Sequence, residues 1–413
     1  MRVVVVGAGK IGCGYLAPLF CGAGWQVTLA GRDPEVVGRM RAAGSYRSRV
    51  TDPVSPVAGA ASPASGSTTE IRGWTAVVVG SPEFRDAVAH ADLVCVSVGV
   101  ARVRAVGEPL ADALTGRDPD RPLDVWVVEN EDCASSLEDA VRLAAGARAL
   151  PPLGVAGAVA HVAVARGGWR ETAEPEFVGD AARRLYVDAT RLLTPLPELP
   201  GVQPTPDYLA RLREKLYVFN AGHAICAYLG WLRGHSTIAE AVRDPFLRPM
   251  VAGSLLESRR ALLASHPRLG NDVHGPVTEA LARYADDELA DPVVRVARDP
   301  LRKLGPHDRL LGPVGLVREQ TGHEPPYFSL GVAGALLYRG DDGEQTRELQ
   351  TRLSHDGVRR VLEEVCGLTT GEGFLDSVAT RYAGFILLPD ETVFPPVYAT
   401  AGAPGAVGPA VAS

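Results

Sequence analysis

Cysteine, long apolar runs and excess positive charge are all scarce in this chain of 413 residues. The six cysteines form no CxxC pair and no Cys/His cluster with the spacing of a zinc site, which excludes a cysteine-based metal centre and predicts reduced thiols. No run of about 18 apolar residues occurs, and the net charge of −7 argues against a surface for nucleic acid or anionic membrane. We therefore predict a soluble, cytoplasmic protein with neither nucleic acid nor membrane among its partners.

The composition is that of a globular protein, with 46% hydrophobic and 22% charged residues. A single hydrophobic core stops growing near roughly 250–300 residues, so a chain of this length is expected to form two domains.

The first half of the chain alternates apolar runs with helical stretches. Short β-branched or apolar runs at residues 2–6, 26–30, 75–80, 93–98 and 125–128 have the character of buried parallel strands. Strands that alternate with helices predict a doubly wound parallel sheet of the α/β class over residues 1–198. A segment at 53–70, rich in Pro, Ala, Ser, Gly and Thr, predicts a surface excursion.

The sequence pattern changes at a proline-dense stretch, residues 195–205. Beyond it, strand-like runs are rare and apolar residues recur at helical spacing, which predicts a mainly α-helical C-terminal domain over 199–390. The Ala/Gly/Pro-rich end, 391–413, is expected to be a flexible tail.

The first apolar run leads directly into the glycine pattern GAGKIG, in which Gly7, Gly9 and Gly12 enclose Lys10 and Ile11. The pattern alone is weak, but a preceding strand and a following helix are the context of a dinucleotide-binding (Rossmann) fingerprint. The glycines allow a tight turn, close approach of the backbone to a pyrophosphate and close packing of helix on strand. We predict that these five residues bind a nicotinamide dinucleotide.

The end of the second strand distinguishes the two nicotinamide cofactors. An NAD enzyme usually places a carboxylate there for the ribose 2′-hydroxyl, whereas this chain has Gly31 followed by Arg32. The missing carboxylate removes repulsion, and a guanidinium pairs well with a 2′-phosphate. The sequence therefore favours NADP(H) over NAD(H), unless the strand ends later and Asp33 serves the ribose.

A Lys-x4-Asn-x2-His pattern, formed by Lys215, Asn220 and His223, lies in an apolar and therefore largely buried helix. At about 100° per residue on an α-helix, His223 lies ~80° and Asn220 ~140° from Lys215, so the three side chains can border one side. Such a set suits alcohol oxidation, with a desolvated lysine as base and an amide donating to the reacting oxygen. Without this context the same residues would be ordinary surface or capping groups.

Two further groups have a functional and a structural interpretation. Asn130 follows a strand at the edge where open α/β sheets bind ligands, although it could equally form a simple turn. Arg302, Lys303, His307 and Arg309 could hold an anionic substrate, or could form a solvated helix end or loop.

The chain resembles the mannitol-1-phosphate 5-dehydrogenases, members of the long-chain polyol-specific (mannitol) dehydrogenase family, whose hallmark is the Lys-x4-Asn-x2-His pattern. The resemblance covers nearly the whole chain up to about residue 390. The runs that carry it are GAGKIGCGY, ADLVCVSVGV, VVEN, REKLYVFNAGHAICAYLGWLRGHSTIAEAV, RDPLRKLGPHDRLLGP and PPYFSLGVAGALLYR.

This resemblance implies hydride transfer without a metal ion and with Lys215 as general acid and base. It implies that Asn130 and Asn220 polarise the reacting carbonyl and that Arg302 and Lys303 lie near a polyol or ketose substrate, with Arg309 assigned more loosely. Many members act as monomers, so we expect a monomer or a weak homo-oligomer.

One segment departs from the family pattern. Where the family has a run like SAVDRIVP, this chain reads GAVAHVAV, so that Ala160 and His161 replace an Asp-Arg pair. His161 is therefore either a substrate contact or a partly buried histidine. Together with Arg32 this departure favours NADP(H) and another sugar or cyclitol, with or without a phosphate.

Two alternatives of different classes remain at this stage. A reductase resembling ketopantoate reductase or 6-phosphogluconate dehydrogenase would share the glycine turn but lack the Lys-x4-Asn-x2-His helix. A non-catalytic dinucleotide-binding sensor would bind the cofactor without turning over any polyol.

Overall fold

The computed structural model describes residues 1–51, 66–172, 174–369, 371 and 373–387. The chain divides into two units: the first takes Met1–Leu216, His266–Asn271 and Asp286–Ala290, and the second takes the rest. The domain bounds predicted at residues 198–199 precede this division and stay a prediction. The predicted tail and most of the predicted excursion lie outside the described residues.

Strands and short helices alternate in the first unit. The strands are β1 (Arg2–Val6), β2 (Gln26–Gly31), β3 (Tyr46–Val50), β4 (Ser67–Ile71), β5 (Trp74–Val78), β6 (Leu93–Val96), β7 (Leu123–Val128), β8 (Leu153–His161), β9 (Val164–Arg166), β10 (Glu176–Gly179), β11 (Arg184–Asp188) and β12 (Val202–Thr205). The α-helices are α1 (Ala17–Gly22), α2 (Pro34–Ala43), α3 (Pro82–Ala89), α4 (Gly107–Leu114), α5 (Ala134–Ala145) and α6 (Tyr208–Arg213).

The main sheet has the strand order β12-β11-β8-β7-β6-β1-β2-β5. From β8 to β5 all neighbouring strands are parallel, while β11 runs antiparallel to β8. After β1 the chain first adds strands on one side and then returns to β6 on the other, so the order reverses beside β1. Ligands bind at the carboxyl ends of strands at such a reversal.

Both faces of this sheet are buried, as the near-continuous apolar strands predict. Val3 and Val5 pack into one apolar cluster with α1 and α2, whereas Val4 and Val6 pack into another with α3, α4 and α5. The alternation follows from the two-residue period of a strand.

A second, smaller sheet has the order β4-β3-β10-β9. Its core is aromatic: Tyr46 meets the rings of Trp74, Trp169 and Phe177 at centroid distances of 5.3–5.8 Å. The Tyr46 hydroxyl donates to the carbonyl of Cys13 at 2.7 Å, which ties this sheet to the helix that follows β1.

The described part of the second unit is helical. Its α-helices are α7 (Ala221–Leu232), α8 (Ile238–Arg243), α9 (Leu247–Ser265), α10 (His274–Tyr284), α11 (Val293–Ala297), α12 (Pro300–Lys303), α13 (Leu311–Thr321), α14 (Pro326–Leu337), α15 (Glu344–Glu364) and α16 (Gly373–Leu387). Helices α7 and α14 are buried almost throughout, as helices that are apolar all round must be. A Cβ on Gly331 would lie 2.4 Å from Ile225, which shows how closely they pack.

The predicted fold class is confirmed: a Rossmann-type parallel sheet precedes a mainly helical part. The antiparallel strand β11 and the second sheet were not predicted, because strands of three to five residues such as β9, β10 and β11 carry too little periodicity. Within the described residues, no helix combines the length and the apolarity that crossing a membrane requires.

Candidate active site

In the glycine loop after β1, Gly7 and Gly12 lie close to other backbone atoms, whereas the space around Gly9 is open. The Gly7 N–H donates to the Ala30 carbonyl at 2.9 Å, and Gly7 has a φ of +116°, which disfavours any side chain. A Cβ on Gly7 would lie 2.2 Å from the Ser97 carbonyl oxygen, and one on Gly12 would lie 1.9 Å from the Gly7 carbonyl oxygen. Around Gly9, by contrast, no heavy atom lies within 4 Å of a Cβ. The loop thus fits the close approach of a dinucleotide pyrophosphate at Gly9.

The helix after the loop opens with a π-helical turn, Gly12–Leu16, before α1. Its beginning presents backbone N–H groups, which favour a phosphate. The Lys10 ammonium donates to the carbonyl of Ala165, and Ile11 packs half-buried against the apolar cluster beneath the sheet. These two residues therefore anchor the loop, and their contact with the cofactor stays a prediction.

The region after β2 differs by one residue from the prediction, in which the strand covered 26–30. Strand β2 ends at Gly31, and a Cβ there would lie 2.9 Å from Val37. Arg32 is exposed. Asp33 caps helix α2 by accepting from the Glu35 N–H at 3.1 Å, and it pairs with Arg170 at 2.6 Å. The carboxylate that was the alternative ribose ligand is thus engaged in a helix cap and an ion pair.

Glu129 stands at the carboxyl end of β7, next to the exposed Asn130. Its Oε1 accepts from the Gly99 N–H at 2.6 Å, so the carboxylate is fixed between the ends of β6 and β7. Burial raises the pKa of Glu129, although bonds from Gly99 and Val98 and the charge of Lys215 counteract the rise. The positive charge of Lys215 is thus one of the groups that favour the ionised Glu129 carboxylate.

Helix α6 holds Lys215 in the first unit. The Tyr208 ring packs over Gly157 of β8, where a Cβ would lie 2.3 Å from the ring. Arg211 lies 4.4 Å above the Tyr186 ring and pairs with the buried Glu214 at 2.9 Å. These contacts fix the backbone directly before Lys215, whose side chain is half-buried.

The Lys-x4-Asn-x2-His segment is not a regular α-helix. Residues Glu214–Asn220 form a π-helix, and α7 begins at Ala221. The angles expected from about 100° per residue are therefore wrong between Lys215 and Asn220, because a π-helix winds less per residue. Such segments occur often at functional sites. The division between the two units falls between Leu216 and Tyr217, inside this segment.

His223 is held by two residues of its own unit. Its Nε2 lies 3.3 Å from Oδ2 of Asp291, and its ring stacks on Tyr284 with centroids 5.1 Å apart and planes 7° apart. Asp291 is buried and also accepts two hydrogen bonds of 2.5 Å from Arg295. Burial alone would raise the pKa of Asp291, but His223 and Arg295 outweigh it and hold the pKa at about 2.

The basic cluster at 302–309 is partly neutralised from within. Asp308 accepts from Arg302 at 2.9 Å and from Arg309 at 2.7 Å, and His307 is exposed. Lys303 is buried and its Nζ donates to the Arg298 carbonyl. Burial, with Arg309 and Arg302 nearby, lowers the pKa of Lys303 to about 6.

His161 is the last residue of β8 and is buried at 3% exposure. Its ring meets Tyr186 edge-on at 5.2 Å, beneath the Arg211 guanidinium that stacks on the same tyrosine. This packing agrees with a buried histidine in the sheet, and a substrate contact of His161 stays a prediction.

Three residues of these networks were not singled out from the sequence: Glu129, Tyr284 and Asp291. Glu129 has a signal, since it is a carboxylate at a strand end directly before Asn130. Tyr284 and Asp291 have none, because they are more than 60 residues from His223 in sequence. Among the described residues, no three His, Cys, Asp or Glu side chains are grouped to hold a metal ion.

Comparison with known proteins agrees with this architecture. Residues 208–385 match the mannitol dehydrogenase C-terminal domain. The chain is 31% identical to a mannitol-1-phosphate 5-dehydrogenase of Bacillus licheniformis, over 88% of this chain and 94% of the relative. It is 28% identical to the protein of the same name from Bacillus pumilus, over 92% and 98%.

Two solved structures share the fold. Pseudomonas fluorescens mannitol 2-dehydrogenase, in a ternary complex with NAD and D-mannitol, has a TM-score of 0.71 at 16% identity and covers 95% of this chain and 92% of its own. A substrate-free D-sorbitol dehydrogenase has a TM-score of 0.67 at 12% identity, with coverage of 95% and 93%.

With the glycine loop and the parallel sheet, the family match and the 31% identical relative define an NAD(P)-dependent oxidoreductase that acts on alcohols. The chain belongs to the mannitol dehydrogenase family.

Proposed function

We propose that this protein transfers a hydride between NADP(H), or else NAD(H), and a polyol or ketose, most simply a sugar or cyclitol phosphate, without a metal ion. The observation that carries the proposal is the half-buried position of Lys215 in the same unit as the glycine loop and as Glu129, which is buried at the carboxyl end of β7. The names of the two Bacillus relatives support a phosphorylated polyol.

Lys215 is the general base in the direction of oxidation. Its neutral amine takes the proton of the substrate hydroxyl as the carbon–oxygen bond becomes a carbonyl, and in reduction its ammonium returns that proton. A bound nicotinamide supplies or accepts the hydride. The half-buried position of Lys215 beside a carboxylate suits this role, because burial favours the neutral amine and the carboxylate favours the ammonium.

Three further side chains complete the proposed set. The amides of Asn130 and Asn220 donate to the reacting oxygen, where negative charge develops. His223 holds a second hydroxyl of the substrate. Asn130 is exposed and follows β7, while Asn220 and His223 are each partly exposed, so all three are accessible to a ligand.

Glu129 is expected to set the pH at which Lys215 works. Glu129→Gln removes the negative charge that favours the ammonium, so the pKa of Lys215 should fall and the rise of the oxidation rate should move to lower pH by about one unit. The measurement is the pH profile of kcat/KM. Glu108→Gln, the same charge change at an exposed residue of α4, is the control and should leave the profile in place.

Arg32 is proposed to select NADP(H). Arg32 is exposed, and it follows a glycine at the position where a carboxylate would repel the 2′-phosphate. Arg32→Ala should therefore weaken the binding of NADPH by about tenfold or more and that of NADH by less than about threefold. Fluorescence or calorimetric titration measures both. Arg72→Ala, at a side chain that is 71% exposed, is the control. Equal weakening of both cofactors would contradict the assignment.

The substrate is proposed to bind Arg302, Lys303 and Arg309, with His161 as a further contact. Asp308 pairs with Arg302 and Arg309 and offsets part of their positive charge, whereas Lys303 donates to the Arg298 carbonyl. A substrate phosphate would supply the negative charge that favours the Lys303 ammonium.

The test of the function is turnover with either cofactor on matched pairs: fructose 6-phosphate against fructose and mannitol 1-phosphate against mannitol. Reduction of a phosphorylated ketose with NADPH, and at least tenfold lower kcat/KM for the free sugar, is the expected result. Equal kcat/KM values for the phosphorylated and the free sugars would contradict the proposal that the substrate carries a phosphate. Cofactor binding without turnover of any polyol would support a sensor instead.

A further inference from the structure

We infer that Asp291 and Tyr284 position His223 so that, in its neutral form, Nε2 carries the proton and Nδ1 accepts a hydrogen bond from a substrate hydroxyl. The inference rests on the proposed function in one respect, the use of His223 as a substrate contact. Both residues act through His223, so they are positioning residues and not catalytic ones.

Asp291 determines which imidazole nitrogen carries the proton. Its Oδ2 lies 3.3 Å from Nε2 of His223, and both of its oxygens accept from Arg295 at 2.5 Å. The Asp291 side chain is 7% exposed, while that of His223 is 21% exposed. An ionised carboxylate held in this way only accepts hydrogen bonds, so a neutral His223 must donate from Nε2. Its Nδ1 is then an acceptor.

Tyr284 holds the same histidine through the ring and the backbone. The two rings are stacked, and the Tyr284 hydroxyl donates to the Phe219 carbonyl. In a regular α-helix this carbonyl accepts from the His223 N–H, four residues on. The hydroxyl thus bonds to the backbone directly before His223, where the π-helix Glu214–Asn220 gives way to α7.

Gly222 makes this close approach of the Tyr284 hydroxyl possible. A Cβ at this position would lie 3.1 Å from the Tyr284 hydroxyl and 2.6 Å from Leu255, so only glycine lets both groups approach the helix backbone. The glycine between Asn220 and His223 in the chain thus serves the approach of a residue from α10.

The first arm of the experiment reads the proton on His223 directly. In 15N-histidine NMR spectra at pH 8, assigned with His223→Gln, the wild-type protein should show the Nε2–H form. In Asp291→Asn, Arg295 should donate to the oxygen of the new amide, so that the NH₂ group faces His223. Nε2 must then accept, and the dominant form should invert to Nδ1–H. An unchanged form in Asp291→Asn would overturn the inference.

The second arm reads turnover in two backgrounds. Asp291→Asn should lower kcat/KM at least thirtyfold in the wild-type background and less than threefold in the His223→Ala background, with NADPH affinity unchanged. An equal loss of kcat/KM in both backgrounds would show that Asp291 acts independently of His223 and would overturn the inference.

Tyr284→Phe keeps the ring and removes the hydroxyl. We expect the Phe219 carbonyl and the His223 N–H to bond directly, with slower amide exchange at His223 and a three- to tenfold lower kcat/KM. Tyr338→Phe, which removes another buried hydroxyl of the same unit, is the control and should change neither. Faster exchange or full activity in Tyr284→Phe would overturn the role of the hydroxyl.

The two arms separate the inference from the proposed function. A wild-type protein that turns over no polyol, yet shows the Nε2–H form and its inversion, would contradict the function and support the pairing. Turnover with an unchanged proton position in Asp291→Asn would contradict the pairing alone.

Discussion

Lys215→Ala should lower kcat by about 10²–10⁴-fold, the range for loss of a general acid–base group, while NADPH affinity changes little. The reason is that no other amine takes the hydroxyl proton in the proposed mechanism. Lys215→Arg should be equally inactive, because a guanidinium keeps its proton throughout the working pH range. Single-turnover rates and cofactor titrations on the same preparations measure both effects. Normal turnover in either variant would remove Lys215 from the role of base.

The composition of the chain allows a direct control. The sequence contains only three lysines, Lys10, Lys215 and Lys303. Reductive methylation with 13C-formaldehyde should therefore give three side-chain NMR signals and one from the N-terminus, each lysine assigned by substitution. If Lys215 is the base, its titration midpoint should match the midpoint of the oxidation profile and lie below about 10.4, the value of a free lysine. If the titration midpoint of Lys215 differs from the midpoint of the oxidation profile, the pH dependence of oxidation belongs to another group.

What the sequence predicts well is local. The apolar run before Gly7 and the spacing to Gly12 define a strand, a tight turn and a helix, and the structure has all three in place. Strand β2 was predicted over residues 26–30 and ends one residue later, at Gly31. These features depend on residues within about ten positions of each other.

What the sequence does not predict depends on distant residues. The Lys-x4-Asn-x2-His spacing suggests a regular helix, and nothing within residues 215–223 indicates that a tyrosine 61 positions after His223 donates to the Phe219 carbonyl. The carboxylate of Asp291 is equally remote in sequence. Such contacts are set by tertiary packing, which overrides the helix propensity of a local segment.

The basic cluster illustrates the difference in another way. In sequence, Arg302, Lys303 and Arg309 are interchangeable cations, and Asp308 is one acidic residue among them. In the structure the arginines pair with Asp308, while the lysine is buried at 3% exposure. Burial cannot be inferred from a run of charges, because the ends of short helices such as α12 can face either way.

The burial of Lys303 leads to the second large effect, on stability. With its pKa lowered to about 6 in the folded protein, Lys303 binds fewer protons folded than unfolded between pH 6 and the unfolded value. The free energy of unfolding therefore rises with pH across this window, and the cost of the lysine is greatest at and below its lower end. From about 1.4 kcal/mol per pH unit, the cost at pH 7 is roughly 3–5 kcal/mol.

Lys303→Met removes this cost and should raise the thermal midpoint. The gain should be largest near pH 6, shrink as the pH rises and vanish above about pH 10.4, where the lysine is neutral in both states. Calorimetry at pH 6, 8 and 10 measures it, with Lys10→Met, whose ammonium also donates to a backbone carbonyl, as the control. A gain that does not depend on pH would contradict the buried-charge explanation.

The same variant should bind substrate poorly. If a substrate phosphate favours the Lys303 ammonium, Lys303→Met should raise KM for the phosphorylated ketose by at least about tenfold, the loss of one charge-assisted contact. Its KM for the free sugar should change little. A protein that is more stable and yet fails to bind the phosphate would show that Lys303 is kept for binding at the expense of folding, as functional sites often are. A more stable variant with an unchanged KM for the phosphate would instead place the phosphate elsewhere and leave the buried lysine without a role in recognition.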